Sequence, residues 1–536
     1  SKLPAAPMLF LLGTFVWFAA SEPLLLTPLI KQGKIQEAQA LSKVSGLGPG
    51  DWGNSGFLTV PSASGKQDNN IFFWLQPCLD GCDKDAPFVI WLQGGPGGPG
   101  TFGAFGEIGN WYIDFNLDSQ ERCFSWCKNY NCLFVDQPTM TGFSFPTDPA
   151  TGKFNPNNIE YTKTSAEAME QVYQVVQQVF EIWPQYRPAP FYITGESYGG
   201  LYTPNLGKVI VDHNAASDKP INFVGLAVGD PVINWKYQMP TYPVTLHSFG
   251  VVMNHEARQL ENILSEAVSK LDTDCWGAFQ LWNSIWSDDS GGGLPGLFAK
   301  YTGSSATDNV LLGGPPDAMS YWVEYLKNDT IKQAFHFDGI PTSSAAEGGD
   351  VYHTMVNSTD YCMNSSWIYA DLFINHGIDL MIYTSTMDTL LGPPTTEPGV
   401  QSVWDYARDS LKGGQIAYAA WENAPKAIWK TTSKDRNPAG YAKCFEYMAP
   451  STAGKEAEAS NAQRFCYTVV RNGGHELPAY QPRTSYDMFR RFIEGRAYDA
   501  SGNDDSKVPK CAQCGGMPPF TGSALPECPQ PPKQEL

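Results

Sequence analysis

Ser197, Asp388 and His475 stand in the order nucleophile, acid, base, and each follows a run of strand-forming residues. A serine hydroxyl attacks a carbonyl only when an imidazole takes its proton and a carboxylate orients that imidazole. Ser197 lies in FYITGESYGG (191–200), where a short apolar run enters a Gly-Glu-Ser-Tyr-Gly turn and a helix begins near Leu201. A Gly-x-Ser-x-Gly turn between strand and helix lifts its serine above the sheet edge. With 51 glycines in the chain the pentapeptide alone says little; its place behind a strand gives it weight. Among seven histidines, only His475 sits in a glycine loop directly after a buried strand. His213 ends a helix, His247, His255, His336 and His353 fall in an irregular stretch, and His376 precedes a strand. Asp388 follows the strand IDLMIYT (378–384), whereas Asp379 starts it and belongs to the opposite edge. The loop in WLQGGPGGPG (91–100) supplies backbone donors, so Gly95 N–H and Tyr198 N–H are expected to form an oxyanion hole.

The elements that must position these residues alternate between strand and helix. IFFWL (71–75), PFVIWLQ (87–93), NCLFVDQ (131–137), FYIT (191–194) and NFVGLAVGD (222–230) read as strands buried on both faces of a mostly parallel sheet. Residues 164–183 read as a helix, with Thr164 and Glu167 as a capping box and an apolar face of Met169, Val172, Val176, Val179 and Trp183. The rhythm resumes at IDLMIYT and RFCYTVVRNGG (464–474) and closes with a helix through DMFRRFIEG (487–495). The fold class is therefore α/β, specifically the α/β-hydrolase fold, with a mostly parallel central sheet, helices on both faces and an insertion as lid. The divisions are a signal peptide (1–21), a core (22–234), an irregular lid insertion (235–365), a second core segment (366–495) and a flexible Cys/Pro-rich tail (496–536).

A net charge of −19 argues against nucleic acid or an anionic membrane as partner, and 42% hydrophobic residues supply a large core. Twelve scattered cysteines lack a paired zinc-ribbon spacing, so neither metal nor other cofactor is expected. The apolar run MLFLLGTFVWFAA (8–20) has the length of a secretory leader and is too short for a stable membrane anchor. Sequons at Asn328, Asn357 and Asn364 fit glycosylation on that route, where cysteines pair. The terminal KQEL is similar to an ER-retrieval signal, with Gln for the usual Asp. The expected location is the secretory pathway, ending in a lysosome- or vacuole-like compartment or outside the cell.

GESYGG, WLQGGPGG, VDQPTMTGFSF (135–145) and NGGHELPAYQP (472–482) together resemble the serine carboxypeptidase family, and SEPLLLTPLIKQGKIQEAQALS (21–42) is similar to its vitellogenic carboxypeptidase-like branch. The resemblance implies release of C-terminal residues from peptides or proteins at acidic pH through an acyl-enzyme. It places the catalytic trio on Ser197, Asp388 and His475, and recognition of the substrate carboxylate on Gln93, Gly94, Glu107 and Glu196. Two adjacent glutamates resist ionising together, so one is expected to stay protonated and donate to that carboxylate. The chain departs from the family pattern at STMD (385–388), at Met140 in place of glycine, at Glu476 in place of an apolar residue, and at Gly98 in place of a disulfide cysteine. An acyltransferase using the same trio and a non-enzymatic binding or protective protein are the alternatives; a homodimer is compatible with the sequence.

Overall fold

The computed structural model describes residues 22–82, 85–288, 294–312, 319–340, 349–448 and 462–509. The expected leader, the KQEL terminus, and Cys511 and Cys514 lie outside the described residues. Within them eleven strands form one sheet: β1 (Asn54–Pro61), β2 (Asp68–Gln76), β3 (Phe88–Leu92), β4 (Asn131–Val135), β5 (Phe145–Thr147), β6 (Phe191–Glu196), β7 (Phe223–Gly229), β8 (Asp379–Ser385), β9 (Lys426–Trp429), β10 (Gly440–Tyr447) and β11 (Gln463–Val470). Their order is β1-β2-β4-β3-β6-β7-β8-β11-β10-β9, with β5 paired to β2. The six strands from β4 to β11 run parallel, and the flanking strands are antiparallel.

Side chains on a strand alternate between faces, and the strands divide their apolar residues into two cores accordingly. Ile90, Leu92, Ile193, Leu226, Val228 and Ile382 face helices α1 (Ser165–Ile182) and α2 (Gly199–Asn214). Val89, Trp91, Tyr192, Ala227, Met381 and Tyr383 face Trp126 and the Phe489 and Phe492 side chains of a later helix. Burying each such Val, Leu, Ile or Met side chain contributes about 1.5–3 kcal/mol. Thr164 caps α1 by accepting from Glu167 N–H at 3.2 Å, but Glu167 returns its carboxylate to Lys163 N–H rather than to Thr164, so the box is displaced by one residue.

Four expectations are corrected. β2 is antiparallel to both neighbours, because a strand buried on both faces looks alike in sequence whichever way it runs. β9 and β10 went unforeseen; their exposed alternate residues dilute the apolar run that marks a central strand. The insertion is largely helical rather than irregular, with α3 (Asn254–Lys270) and α4 (Cys275–Trp286). α3 buries only Leu260, Leu264 and Ala267, a narrow stripe in a polar segment, and starts where the Glu256 carboxylate accepts from Met253 N–H at 2.6 Å. Finally, 496–509 is packed rather than flexible. Tyr498 is buried with its hydroxyl donating to Met488 O, while Arg490 and Arg491 of α7 (Pro482–Ile493, numbered after α5, Ser366–His376, and α6, Pro393–Ser410) bind the carbonyls of Lys507 and Ala497.

Disulfides join Cys78–Cys82, Cys127–Cys132, Cys275–Cys362 and Cys444–Cys466, and Cys123 is also disulfide-bonded. Cys275–Cys362 ties the start of α4 to the end of the insertion.

Candidate active site

The C-terminal ends of the parallel strands all reach one edge of the sheet, where doubly wound folds place their ligands. β6 ends at Glu196, and Ser197 takes φ 60, in the left-handed region that costs an L-residue about 1–2 kcal/mol. Three backbone bonds hold it there: its N–H donates to Gly229 O at 2.9 Å, and its carbonyl accepts from Gly200 N–H and Val232 N–H. Glycine is required around it. A Cβ on Gly195 would lie 2.6 Å from Leu92 O, and one on Gly200 only 2.2 Å from Val232 O. Ser197 is thereby left partly exposed between buried Glu196 and buried Tyr198. The Tyr198 hydroxyl is anchored on Asp360, which also accepts from the first residue of α1, Ser165.

β8 and β11 are neighbours, so the loops that follow them meet. Met387 N–H donates to Gly473 O and Asn472 N–H to Thr386 Oγ1, each at 2.9 Å, and the Ser385 hydroxyl to Gly474 O. Asp388 is fully buried; Oδ1 accepts from Leu390 and Leu391 N–H at 2.7 and 3.1 Å, and Oδ2 lies 2.8 Å from His475 Nδ1. The STMD loop thus supports Asp388 with two amides despite its departure from the family pattern. The insertion contributes too: His475 N–H donates to Asp308 O, and Val310 N–H to Met387 O. Ser197 Oγ makes no hydrogen bond to His475 among the described residues; such contacts often tighten only with substrate in place. Burial disfavours the His475 imidazolium, but the charge and hydrogen bond of Asp388 oppose burial, and the pKa lies well above the ordinary value.

The loop after β3 brings Gly94 against the elbow, where an added Cβ would lie 2.7 Å from Ser197 Cβ and 2.8 Å from Tyr198 N. Gly95 has φ 105, and neither its N–H nor that of Tyr198 is a hydrogen-bond donor among the described residues. Trp91 Nε1 donates to Gln93 Oε1 at 2.7 Å, which turns Gln93 Nε2 toward Glu196 Oε1 at 3.4 Å. Glu107 closes a π-helical turn (Gly103–Glu107) and its buried carboxyl lies beside that of Glu196. Both pKa values are raised, by burial first; for Glu196 the Glu107 charge adds to it. The turn is braced by buried Arg122, whose guanidinium donates to the carbonyls of Phe105 and Gly109.

The structure therefore brings the expected trio, the Gly95 and Tyr198 amides and the expected carboxylate-binding residues to one edge. Sequence reasoning missed Asp230, Asp308, Arg122 and Asp360. Asp230 was legible only as the last letter of a strand run, whereas the other three sit in segments with no periodic pattern. Asn328, Asn357 and Asn364 are exposed.

The serine carboxypeptidase family descriptor matches residues 51–495. A probable serine carboxypeptidase CPVL of Homo sapiens is 29% identical over 484 residues, covering 90% of this chain and 91% of that protein. The vitellogenic carboxypeptidase of Aedes aegypti is 29% identical over 485 residues, covering 88% and 90%. In fold the chain is similar to Kex1(Δ)p, a prohormone-processing carboxypeptidase from Saccharomyces cerevisiae (TM-score 0.64, 19% identity, 83% of this chain and 92% of that one). With an α/β-hydrolase sheet, an elbow serine at its edge and a family match over most of its length, this chain belongs to the serine carboxypeptidase family.

Proposed function

We infer that Ser197, His475 and Asp388 carry out serine-type carboxypeptidase chemistry on peptide and protein C-termini through an acyl-enzyme. His475 takes the Ser197 proton as Oγ bonds to the last peptide carbonyl, with Asp388 orienting the ring. The Gly95 and Tyr198 amides receive the oxyanion. The C–N bond then breaks, His475 passes its proton to the departing amine, and water cleaves the ester by the reverse path. Gln93, Gly94, Glu107 and Glu196 hold the substrate's free carboxylate, which confines cleavage to the terminal bond. The buried Glu107–Glu196 pair beside the elbow carries this reading: a neutral glutamic acid donates to a carboxylate, whereas a pair of anions repels it. Activity is accordingly greatest in acid.

Ser197→Ala is expected to lower release of the terminal residue from an N-blocked dipeptide at about pH 5 by at least ~10⁴-fold. Undiminished release would overturn the assignment. Exposure of Asn328, Asn357 and Asn364 supports glycosylation on a secretory route, read as a mass loss on enzymatic deglycosylation. No helix of the described residues is long and apolar enough to cross a membrane.

A further inference from the structure

Asp230 has no part in the scheme above, yet it lies inside the same cluster. It follows β7 with φ 43, its N–H donating to Tyr383 O at 2.8 Å, and it is fully buried. Oδ1 accepts from Thr384 Oγ1 at 2.6 Å and from Ser385 N–H at 3.2 Å. Oδ2 is buried with no N–H or hydroxyl donor on it. Side-chain atoms of Asp230, Asp388 and His475 all lie within 4.8 Å of one another, which sets the two carboxyl groups side by side. Two carboxylates do not share a dry contact as two anions, so one of them carries a proton. Asp388 faces the N–H donors of Leu390 and Leu391 and the His475 ring, which favour an anion. Asp230 keeps one oxygen free of donors, which suits an O–H.

Resting on the assignment of Asp388 and His475 as acid and base, we propose that Asp230 is a positioning residue that stays protonated at Oδ2 and donates to Asp388. The bond spreads the Asp388 charge over a further partner. Burial first, and the Asp388 charge second, push the Asp230 pKa well above the ordinary carboxyl range. His475 receives the consequence. A neutral Asp230 adds no second negative charge beside the imidazole, so His475 releases its proton at lower pH than it would beside two bare carboxylates. The other ionisable groups facing this cluster are Glu196, Tyr383 and Tyr467 toward Asp230, Tyr242 and Tyr480 toward Asp388, and Glu107, Asp308 and Glu476 toward His475.

The test is a nuclear magnetic resonance titration of His475 in the full chain, labelled at histidine Cε1 and assigned with His475→Gln. Asp230→Asn donates through its amide and is expected to leave the midpoint within about 0.3 unit of wild type, whereas Asp230→Leu, without a donor, raises it by about one unit. A clear fall in the Asn variant would mark Asp230 as an anion, and an unmoved midpoint in the Leu variant would remove the bond; either overturns the proposal. An infrared difference spectrum, wild type minus Asp230→Asn at about pH 7, reads the proton without the Leu variant. A protonated-carboxyl C=O band is expected, and its absence overturns the proposal. Neither measurement needs turnover. A chain that titrates as described, yet is not labelled at Ser197 by a fluorophosphonate, would refute the catalytic assignment alone.

Discussion

Glu196 and Met140 show how much single residues settle here. In the wild type, KM for a peptide with a free C-terminus is expected to rise as pH climbs through the raised values of the Glu107–Glu196 pair, because ionised glutamates repel the substrate carboxylate. Glu196→Gln keeps a donor at every pH, so its KM should vary far less across that range. A pH profile of KM with the wild-type slope in the Gln variant would locate the repulsion elsewhere. Met140 occupies φ 74, a left-handed conformation that glycine adopts without strain. Relief of about 1–2 kcal/mol of backbone strain in Met140→Gly is offset by the about 0.5–1 kcal/mol entropic cost of glycine and by lost packing. Denaturant melts should place that variant within about 1 kcal/mol of wild type, and β-branched Met140→Val well below it.

The elbow and the insertion act at the scale of elements. Gly200 begins the packing of α2 against the loop after β7, and a Cβ there meets the backbone oxygen and nitrogen of Val232 at 2.2 and 2.7 Å. Backbone cannot yield as a flexible side chain can. Gly200→Ala is therefore expected to cost about 2 kcal/mol or more and to lower kcat together with stability, measured by melts and steady-state assays. The Cys275–Cys362 bridge spans 87 residues of sequence. Loop-closure entropy assigns such a bridge about 4–5 kcal/mol, so the double serine variant should lose that much, first as protease sensitivity of the insertion.

The molecule as a whole keeps a group of its acids out of water. Glu107, Glu196, Glu476, Asp230 and Asp308 all have pKa values raised, by burial in the first place, and burial also lifts Asp136 to about 6. The folded chain therefore binds protons that the unfolded chain has already released. That stabilisation is fully present below the unfolded carboxyl values near 4 and is lost as pH rises through the folded ones. Asp136 alone accounts for about 3 kcal/mol of the change. Other groups oppose this: burial lowers His336, and surface aspartates such as Asp148 and Asp499, lowered by their hydrogen bonds, lose their contribution only in stronger acid. Tm should be higher at about pH 5 than at about pH 7.5, and the reverse order would contradict this assignment of buried acids.

Ser197, Asp388, His475 and the glycine loop were legible because strand periodicity, a spaced turn motif and chain order are local properties. Each residue could be placed at a strand end without knowing which strands touch. The alternation that splits β3, β6, β7 and β8 between two cores is likewise written in the letters. Strand direction at β2, the helices of the insertion and the packed 496–509 segment depend on partners far away in sequence. Asp230 belongs to that second kind. The chain marks it only as the end of a strand run, and only the adjacency of β7 and β8 buries its carboxyl against Asp388, where a low dielectric makes two charges costly and a shared proton favourable. Sequence by itself determined the fold class and marked the candidate nucleophile, acid and base. Tertiary structure decided the protonation environment in which they work, because burial and charge proximity are properties of the assembled sheet edge.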